Sequence, residues 1–371
     1  MSATASISAA LDPLVVLAAI AHARQLERPV DKLDLSSLTA LDARSADWSN
    51  VVFNASILPR IQLAGCNLSG AKFIHCDLRE LDFSQAILNR VSFVNCQMNG
   101  VRMPAHDFEK CNFIECNLSG SIWSAVRLEF CAFAKCVLDG AILRGATLSR
   151  VALYASTVVG ADLRELMLDQ AALHGIDLRP ALLAGLRGHT AVFVNGNLAG
   201  CDLRGAQLLR CTLQACDLSG ADLSGADLSE SNCSQAVLLG TRLVGLRALR
   251  ALWIGARLED LDLQEVNLDG AIFKSAQISR CTFARASLQQ SNWQQSRLID
   301  VSFAGADLRH ARFDLAGGAR VSFDHARLDN ASLHGVAIDA MTTHRASLVR
   351  VRQTDSLLLA AQARSLAMGA D

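Results

Sequence analysis

The sequence predicts an all-β fold, a quadrilateral β-solenoid of about 16 coils with a short α-helical cap at each end. The first observation is a five-residue frame that runs from about Asp31 to about Gln353 and is clearest in Cys201–Glu230. In each group of five, a small residue is followed two positions later by a large apolar residue, called the centre below. The second observation is that aromatic centres recur every 20 residues, which indicates four groups per coil.

A period of five matches neither a helix nor a single strand, whose side chains repeat about every 3.6 and 2 residues. It indicates that two residues of each five point inward and that the chain then turns. Four such sides close one coil, which stacks on the next at about 4.8 Å. Face one is the side whose centres recur every 20 residues from Phe53, and the other faces are numbered in chain order. Face one holds ten aromatic centres, at Phe53, Phe73, Phe93, Phe113, Phe133, Phe193, Trp253, Phe273, Trp293 and Phe313.

Residues 1–30 are predicted to form an N-terminal capping helix. A repeat array exposes its core at its ends and needs such a cap. Pro29 follows the end of the predicted helix, residues 5–28. Few basic residues accompany it, which argues against a helix lying on a membrane surface. The apolar side at helical spacing comprises Ile7, Leu11, Leu14, Val15 and Ile20.

Residues 31–353 form the predicted solenoid, and their frame resembles the pentapeptide-repeat family, whose consensus is A-(D/N)-L-x-x. Ala221–Gly225 and Ala226–Ser229 match that consensus, and the frame covers most of the chain. The resemblance implies that the β-solenoid is right-handed. Three groups have weak centres, Gly188, Ala248 and Gly318, where a lost core side chain predicts a local bulge. These groups are either tolerated defects or sites.

Residues 354–371 are predicted to form a C-terminal capping helix. The segment Ser356–Met368 is apolar, and Ser356 suits a helix N-terminus. Some pentapeptide-repeat proteins dimerise through their C-terminal ends. The resemblance therefore implies a homodimer through this helix, and the alternative is a homodimer through an apolar face.

The charge is balanced, with 35 basic and 36 acidic residues, so the sequence predicts no direct binding of nucleic acid or membranes. No apolar run approaches the roughly 18 residues of a membrane span. Of the 12 cysteines, all but Cys233 occupy the small inward position, where a thiol serves as a buried apolar group. We expect structural thiols rather than disulfides, and hence a cytoplasmic protein, since its N-terminus also lacks a basic export signal.

The sequence predicts no catalytic, cofactor-binding or metal-binding residues, and therefore no enzyme. It contains no phosphate-binding loop, nucleophile elbow or zinc-protease motif, and its histidines are scattered. The aspartates that precede a centre are predicted to satisfy turns and solvent. They are Asp77, Asp162, Asp177, Asp202, Asp217, Asp222, Asp227, Asp262 and Asp307.

Face one carries the stronger candidate interaction surface. The outward position after its centre is apolar in five successive coils, and few charges adjoin it, which is typical of an interface. The alternative is that these residues are chosen only for strand propensity. The candidate residues are Ile74, Val94, Ile114, Tyr154 and Val194, with Ala134 between Ile114 and Tyr154.

Face four carries a weaker candidate, a basic stripe at the last position of its groups. Glu109 and Glu129 are interleaved with it, which favours a solvated face of mixed charge over a site for a polyanion. The stripe comprises Arg90, Lys110, Arg150, Arg210 and Arg250.

These observations favour a non-enzymatic scaffold or adaptor that presents flat β-solenoid faces to a protein partner. The resemblance implies two kinds of role. One is that of an accessory or effector protein of a bacterial secretion system. The other is binding to a type II topoisomerase, DNA gyrase, by imitation of duplex DNA, giving protection or inhibition. That imitation needs a strongly acidic surface, which a balanced charge does not provide.

Overall fold

The computed structural model describes residues 12–360 and is a parallel β-solenoid of about 16 coils. It divides into two compact units, unit 1 (Met1–Leu183) and unit 2 (Ala184–Asp371). The predicted fold class, including its helical caps, is confirmed.

Unit 1 contains helix α1, Pro13–Gln25, and strands on three of the four faces. The strands of face one form one parallel sheet and are β1 Val30–Asp31, β3 Val52–Asn54, β5 Lys72–Ile74, β6 Ser92–Val94, β8 Asn112–Ile114, β10 Ala132–Ala134, β12 Ala152–Tyr154 and β14 Ala172–His174. Face three carries β2 Leu41–Asp42 and β4 Ile61–Gln62. Face four carries β7 Asp107–Glu109, β9 Arg127–Glu129, β11 Thr147–Ser149 and β13 Met167–Asp169.

Unit 2 has strands on face four and on face two. On face four they are β15 Arg187–His189 and β16 Gln207–Leu209. The second sheet begins on face two and is parallel in chain order, with β17 Val237–Leu239, β18 Arg257–Glu259, β19 Gln277–Thr282, β20 Arg297–Ser302, β21 Gly317–Ser322 and β22 Ala337–Thr342.

Residues 20 apart lie directly above one another, as the frame predicts. In unit 1 Phe53 pairs with Phe73, and Phe113 pairs with Phe133. Their rings form a stacked ladder inside face one, where the centroids of Phe113 and Phe133 are 4.8 Å apart and their planes differ by 6°. Such contacts each stabilise a core by about 0.5–1.5 kcal/mol beyond the area that they bury. The predicted aromatic side is thus a continuous internal column from Phe53 to Phe133 in unit 1.

The predicted frame is wrong before residue 41. Val30 pairs with Phe53 and Asp34 bridges to Ile57, so this coil is 23 residues long rather than 20. Leu35 fills the core position and is fully buried. Extending the five-residue frame back from Phe53 would make Leu33 and Leu38 the centres instead, but both are only half-buried. Regular spacing begins where Leu41 pairs with Ile61.

The N-terminal cap is α1. The Asp12 carboxylate accepts the N–H of Leu14 at 2.9 Å, and Pro13 occupies the first helical position, where a missing N–H costs nothing. Val16 and Ile20, four residues apart, face the core. Leu14 and Val15 are exposed, so their predicted place on the apolar side is wrong, and Ile7 and Leu11 lie outside the described residues.

The other end of the chain is held by a capped helical segment. Residues 356–360 are helical, and the Asp355 carboxylate accepts the N–H groups of Leu357 and Leu358 at 3.0 Å each. His334 Nδ1 in turn accepts the N–H of Asp355 at 3.1 Å. This joins the predicted C-terminal cap to unit 2, and residues 361–371 of that prediction lie outside the described residues.

The corner of each coil has a residue in the left-handed region, for example Gly225 at φ 68° and Arg250 at φ 54°. Glycine adopts this conformation freely, which is why it is common at the last position of a group. The aspartates support the same corners: the Asp222 carboxylate accepts the N–H of Ser224 at 3.0 Å. All nine aspartates predicted to satisfy turns make this bond to the residue two positions later.

The weak groups at Gly188 and Gly318 do not leave the core slack, which corrects the expectation of loose bulges. A Cβ atom at Gly188 would lie 2.9 Å from Cys211 Sγ, so the neighbouring coil already fills that space. At Gly318, where φ is 148°, a Cβ atom would lie 1.7 Å from the carbonyl oxygen of Leu298. The backbone itself occupies the position of the missing side chain there.

Candidate interaction surface

The face-one strip of unit 1 comprises Ile74, Val94, Ile114, Ala134 and Tyr154. Parallel pairing of successive strands sets each of these residues directly beside the next. The side chains alternate with the buried centres of the same strands, so they point away from the core. The structure therefore brings four of the five predicted surface residues into one column, and the fifth, Val194, lies in unit 2 and is half-buried.

The strip is uneven in height. Ile114 is 38% exposed and Tyr154 is 48% exposed, whereas Ala134 between them is only 6% exposed. Ala134 points away from the core but is not an exposed apolar group, because a methyl group between two larger neighbours is covered by them. Ile74 and Val94 are half-buried. The strip thus has a depression flanked by two exposed apolar side chains.

Face one is depleted of charge in both units. In unit 1, its outward positions between residues 52 and 175 carry three charged residues, Lys72, Glu115 and Lys135. Face four of the same coils carries eight, namely Arg90, Asp107, Glu109, Lys110, Arg127, Glu129, Arg150 and Asp169. In unit 2, Lys274 is the one charged outward residue of face one between residues 192 and 295. Depletion of charge with retained aromatic and aliphatic groups is typical of interface cores.

Two of those charges neutralise each other. Lys135 Nζ lies 3.0 Å from Glu115 Oε1 on the adjacent coil. The Glu115 carboxylate raises the pKa of Lys135 above its ordinary value through this hydrogen bond and its charge. The pair lies one position beyond Ile114 and Ala134, at the edge of the face-one strip.

Carboxylates pair with four of the five residues of the predicted basic stripe on face four. In unit 1, Arg150 Nη1 lies 2.9 Å from Glu129 Oε1, and Lys110 Nζ lies 3.0 Å from Glu109 Oε1. In unit 2, Glu230 binds Arg210 at 2.7 Å and Arg250 at 3.6 Å, and its hydrogen bond with Arg210 lowers the pKa of Glu230. Arg90, the remaining stripe residue, is exposed at a coil corner with φ 58°, and only its backbone is seen to bond to the next coil, through the carbonyl of Glu109 at 2.9 Å. This arrangement favours the interpretation of a solvated face of mixed charge.

Sequence reasoning missed one exposed aromatic residue on that face. Phe130 adopts φ 54°, and its ring centroid lies 5.0 Å from the Arg150 guanidinium and 6.0 Å from Lys110 Nζ. Bulky residues rarely adopt a positive φ. An aromatic residue at a corner position otherwise given to glycine or polar residues is the signal that could have identified it.

The aspartates at the coil corners are also paired with arginines. Arg79 donates through Nε and Nη2 to the Asp77 carboxylate at 2.8 and 2.6 Å, and this bidentate bond lowers the pKa of Asp77. Arg204 holds Asp202 in the same way, at 2.8 and 2.7 Å. Other pairs of this form are Asp42–Arg44, Asp162–Arg164, Asp177–Arg179 and Asp307–Arg309. Arginines thus compensate five of the nine regular aspartates in this way. The other four have Ser or Gln two positions later and are Asp217, Asp222, Asp227 and Asp262.

The cysteines are internal. All 12 are free and buried. Cys76, Cys96, Cys116 and Cys136 form one column in unit 1, and each thiol donates to the carbonyl of the residue 23 positions earlier, at 3.2–3.4 Å. Ser56 and Ser156 continue this column with hydroxyl groups. The thiols thus satisfy backbone carbonyls inside the coils, as structural residues do.

Within residues 12–360, no cluster of three or more His, Cys, Asp or Glu side chains is arranged to hold a metal ion. The same part of the chain has no helix with the length and apolar character needed to cross a membrane. The features that remain on the surface are flat strand faces and paired charges.

The pentapeptide-repeats family model matches the chain in eight copies, over residues 66–103, 111–150, 191–225, 216–247, 254–290 and 276–314. A sequence comparison finds no match among curated proteins.

Among solved structures, the chain is similar to QnrB1, a plasmid-mediated fluoroquinolone resistance protein, at 16% identity over 59% of this chain and 89% of that chain, with a TM-score of 0.25. It is similar to HetL, a pentapeptide repeat protein involved in heterocyst differentiation regulation from the cyanobacterium Nostoc sp., at 19% identity over 89% of this chain and 93% of that chain, with a TM-score of 0.16. It is also similar to Rfr23 from the cyanobacterium Cyanothece, at 19% identity over 41% of this chain and 90% of that chain, with a TM-score of 0.17.

Proposed function

Because this chain belongs to the pentapeptide-repeat family, we propose that it is a non-enzymatic scaffold that binds partner proteins through face one. The observation that carries the proposal is the segregation of charge. Face one carries few charges between residues 52 and 175 and between residues 192 and 295, while face four of the same coils carries more. A protein that needed only solubility would have no reason to leave one side of these coils so poor in charge.

The face-one strip supplies the side chains that such an interface uses. Tyr154 is rigid, exposed and aromatic, and aromatic residues are enriched among the few residues that dominate binding energy. Ala134 and the neighbouring Ala132 and Ala152 leave a low floor on which a partner's side chains can pack. The strands beneath are held by the aromatic ladder, so little ordering is needed on binding.

The alternative function, imitation of duplex DNA toward a type II topoisomerase, has less support. A surrogate for the phosphate backbone would present unpaired carboxylates at regular spacing. Here five of the nine regular aspartates bind an arginine two positions later, as Asp77 binds Arg79 and Asp202 binds Arg204. We also propose a cytoplasmic location, because 12 free thiols suit a reducing compartment.

A crosslinked pull-down from native lysate tests the proposal with a matched pair of double variants. Ile114→Asp with Tyr154→Asp places two charges on face one, two coils apart. Ile142→Asp with Leu182→Asp places two charges on face three of the same unit, also two coils apart, at residues that are 38% and 51% exposed. We expect the first variant to lose the proteins that the wild type captures and the second to retain them. Equal capture by both folded variants would contradict the proposal, and so would equal loss.

A further inference from the structure

The face-one strip is complementary to itself when it is inverted. Ile114 on β8 and Ala134 on β10 are direct neighbours in the sheet. Consider a second copy that is related to the first by a 180° rotation. The axis runs parallel to the strands and passes between these two residues. The face-one strips of the two copies then lie opposite each other, with their coils in opposite order. The rotation places each Ile114 on the Ala134 of the other copy and each Tyr154 opposite the Val94 of that copy. The exposed isoleucine thereby meets the depression at the nearly covered alanine.

The charges obey the same symmetry. Glu115 and Lys135 flank the rotation axis, on coils adjacent to each other. The rotation sets Glu115 of one copy opposite Lys135 of the other, and the reverse. They are the charged outward residues of face one between residues 92 and 175, so no like charges meet over this stretch. Complementary size and complementary charge arise from one operation, and a two-fold contact requires both.

We propose that face one of unit 1 binds face one of a second copy of this chain, with the two copies antiparallel. The inference rests on the proposed function, since it names a partner for the same surface. It leaves face one of unit 2, with Lys274 as its one charge between residues 192 and 295, to other proteins.

The size of the strip predicts a reversible contact. Six coils, from Phe73 to Leu173, pair with each other under this rotation. At about 4.8 Å per coil, and with each side about four residues wide at about 3.3 Å per residue, they give a face of roughly 29 by 13 Å. That is about half of the roughly 800 Å² per partner of a standard stable interface. Dimerisation therefore depends on protein concentration.

Sedimentation velocity over a concentration series measures this equilibrium on the full chain. We expect the wild type to shift from monomer to dimer and Ile114→Asp with Tyr154→Asp to raise the dissociation constant at least about tenfold. The control, Ile142→Asp with Leu182→Asp, is expected to match the wild type. Circular dichroism of each variant reports whether the solenoid is folded. A wild type that stays monomeric, or a control that weakens the dimer equally, would overturn the inference.

Charge reversal tests the antiparallel orientation. Glu115→Lys alone gives a face whose two charges are both basic, and Lys135→Glu alone gives one whose charges are both acidic. Each variant should fail to dimerise by itself, and an equimolar mixture should form a heterodimer. The same reversals at the Arg144–Glu165 ion pair on face three, which is 2.8 Å long, should change nothing. A mixture that stays monomeric would overturn the antiparallel contact.

The outcomes separate the two proposals. If the wild type is monomeric but the face-one variant still loses captured proteins, the proposed function stands and self-association is wrong. The wild type could instead dimerise through face one and capture no other protein that the face-one variant loses. Self-association would then stand, and the scaffold role would be wrong.

Discussion

The indole N–H of Trp293 donates a hydrogen bond to the Ser291 hydroxyl, with Nε1 and Oγ 2.7 Å apart in the buried core. The Ser291 hydroxyl in turn donates a hydrogen bond to the carbonyl oxygen of Leu288, at 2.7 Å. Trp123 and Ser121 repeat the arrangement at 2.6 Å in unit 1. At Trp253, alanine occupies the corresponding position, Ala251, and the buried indole N–H has no acceptor in the described part of the chain. A serine two positions before the centre thus provides the acceptor for the indole N–H of Trp123 and of Trp293.

Ala251→Ser should therefore stabilise the protein. The new hydroxyl gives the Trp253 indole an acceptor and can itself donate to a carbonyl, which is worth about 1 kcal/mol in the free energy of unfolding. Urea unfolding followed by tryptophan fluorescence measures it. The matched change in the opposite direction, Ser291→Ala, should cost about 1–3 kcal/mol, because it leaves a buried donor without a partner. A destabilised Ala251→Ser protein would show that the core lacks room for the hydroxyl.

Gly318→Ala should destabilise unit 2 strongly. At φ 148° a Cβ atom would lie 1.7 Å from the Leu298 carbonyl oxygen, so the strand pairing of β20 and β21 must shift. Gly317→Ala, one residue earlier in β21, is the control, since its nearest contact would be an ordinary 3.5 Å from the carbonyl oxygen of Ala337. We expect a lower melting temperature for the first variant and little change, or a gain of about 0.5 kcal/mol, for the second. Similar melting temperatures would contradict the assignment of close backbone approach.

Leu118→Ala should destabilise unit 1 by about 2–5 kcal/mol, the usual cost of truncating a fully buried leucine. Leu118 is a centre of face two and is fully buried. Val159→Ala, on the same face but exposed, should change the free energy of unfolding by no more than about 0.5 kcal/mol. Equilibrium urea unfolding compares the two. A small effect at Leu118 would mean that the coils collapse readily into a missing core side chain.

Alkaline pH should destabilise the fold through its thiols. Burial raises the pKa of Cys66, Cys211, Cys216 and Cys281 to about 12, against an ordinary value of 9.0. The raised pKa means that the unfolded chain releases these protons first. Stability is therefore complete below about pH 9 and falls between about pH 9 and 12, by about 1.4 kcal/mol per pH unit for each thiol.

The free energy of unfolding as a function of pH checks this. Cys66→Ala introduces the residue that the next coil has at the same position, Ala86. In this variant, the free energy of unfolding should fall less steeply between about pH 9 and 12, by the contribution of one thiol, about 1.4 kcal/mol per pH unit. An unchanged slope would show that Cys66 does not release its proton on unfolding.

Much of the fold is predictable because the core repeats. The small residue and the centre recur every five residues, and the aromatic centres every 20, so register, faces and inward thiols all follow from spacing. The frame fails before Leu41 because three extra residues lengthen that coil, and a few irregular groups give no signal to place them. The exposed Leu14 and Val15 of α1 have a similar cause, since a short helix offers too few apolar positions to define its buried side.

The candidate surface is predictable only in outline. The apolar column on face one follows from the frame, but the depression at Ala134 depends on the relative size of its neighbours, Ile114 and Tyr154, once they are stacked. The neutralisation of Arg150 by Glu129 likewise depends on side-chain reach between coils. The spacing predicts on which face a side chain lies. Contacts between coils determine how exposed it is and whether its charge is paired.

The 20-residue register in unit 1 has a consequence for how the length of this protein can change. Consider the deletion of one five-residue group between Ile114 and Tyr154. Every core position would still be filled by a similar residue. However, all later side chains of the unit would move by a quarter of a coil onto the neighbouring face. Tyr154 would then leave the column of Ile114 and lie among the charges of another face. Deleting a full circuit of 20 would restore the column. The core thus tolerates insertions and deletions in steps of five, whereas the pattern displayed to partners recurs only in steps of 20.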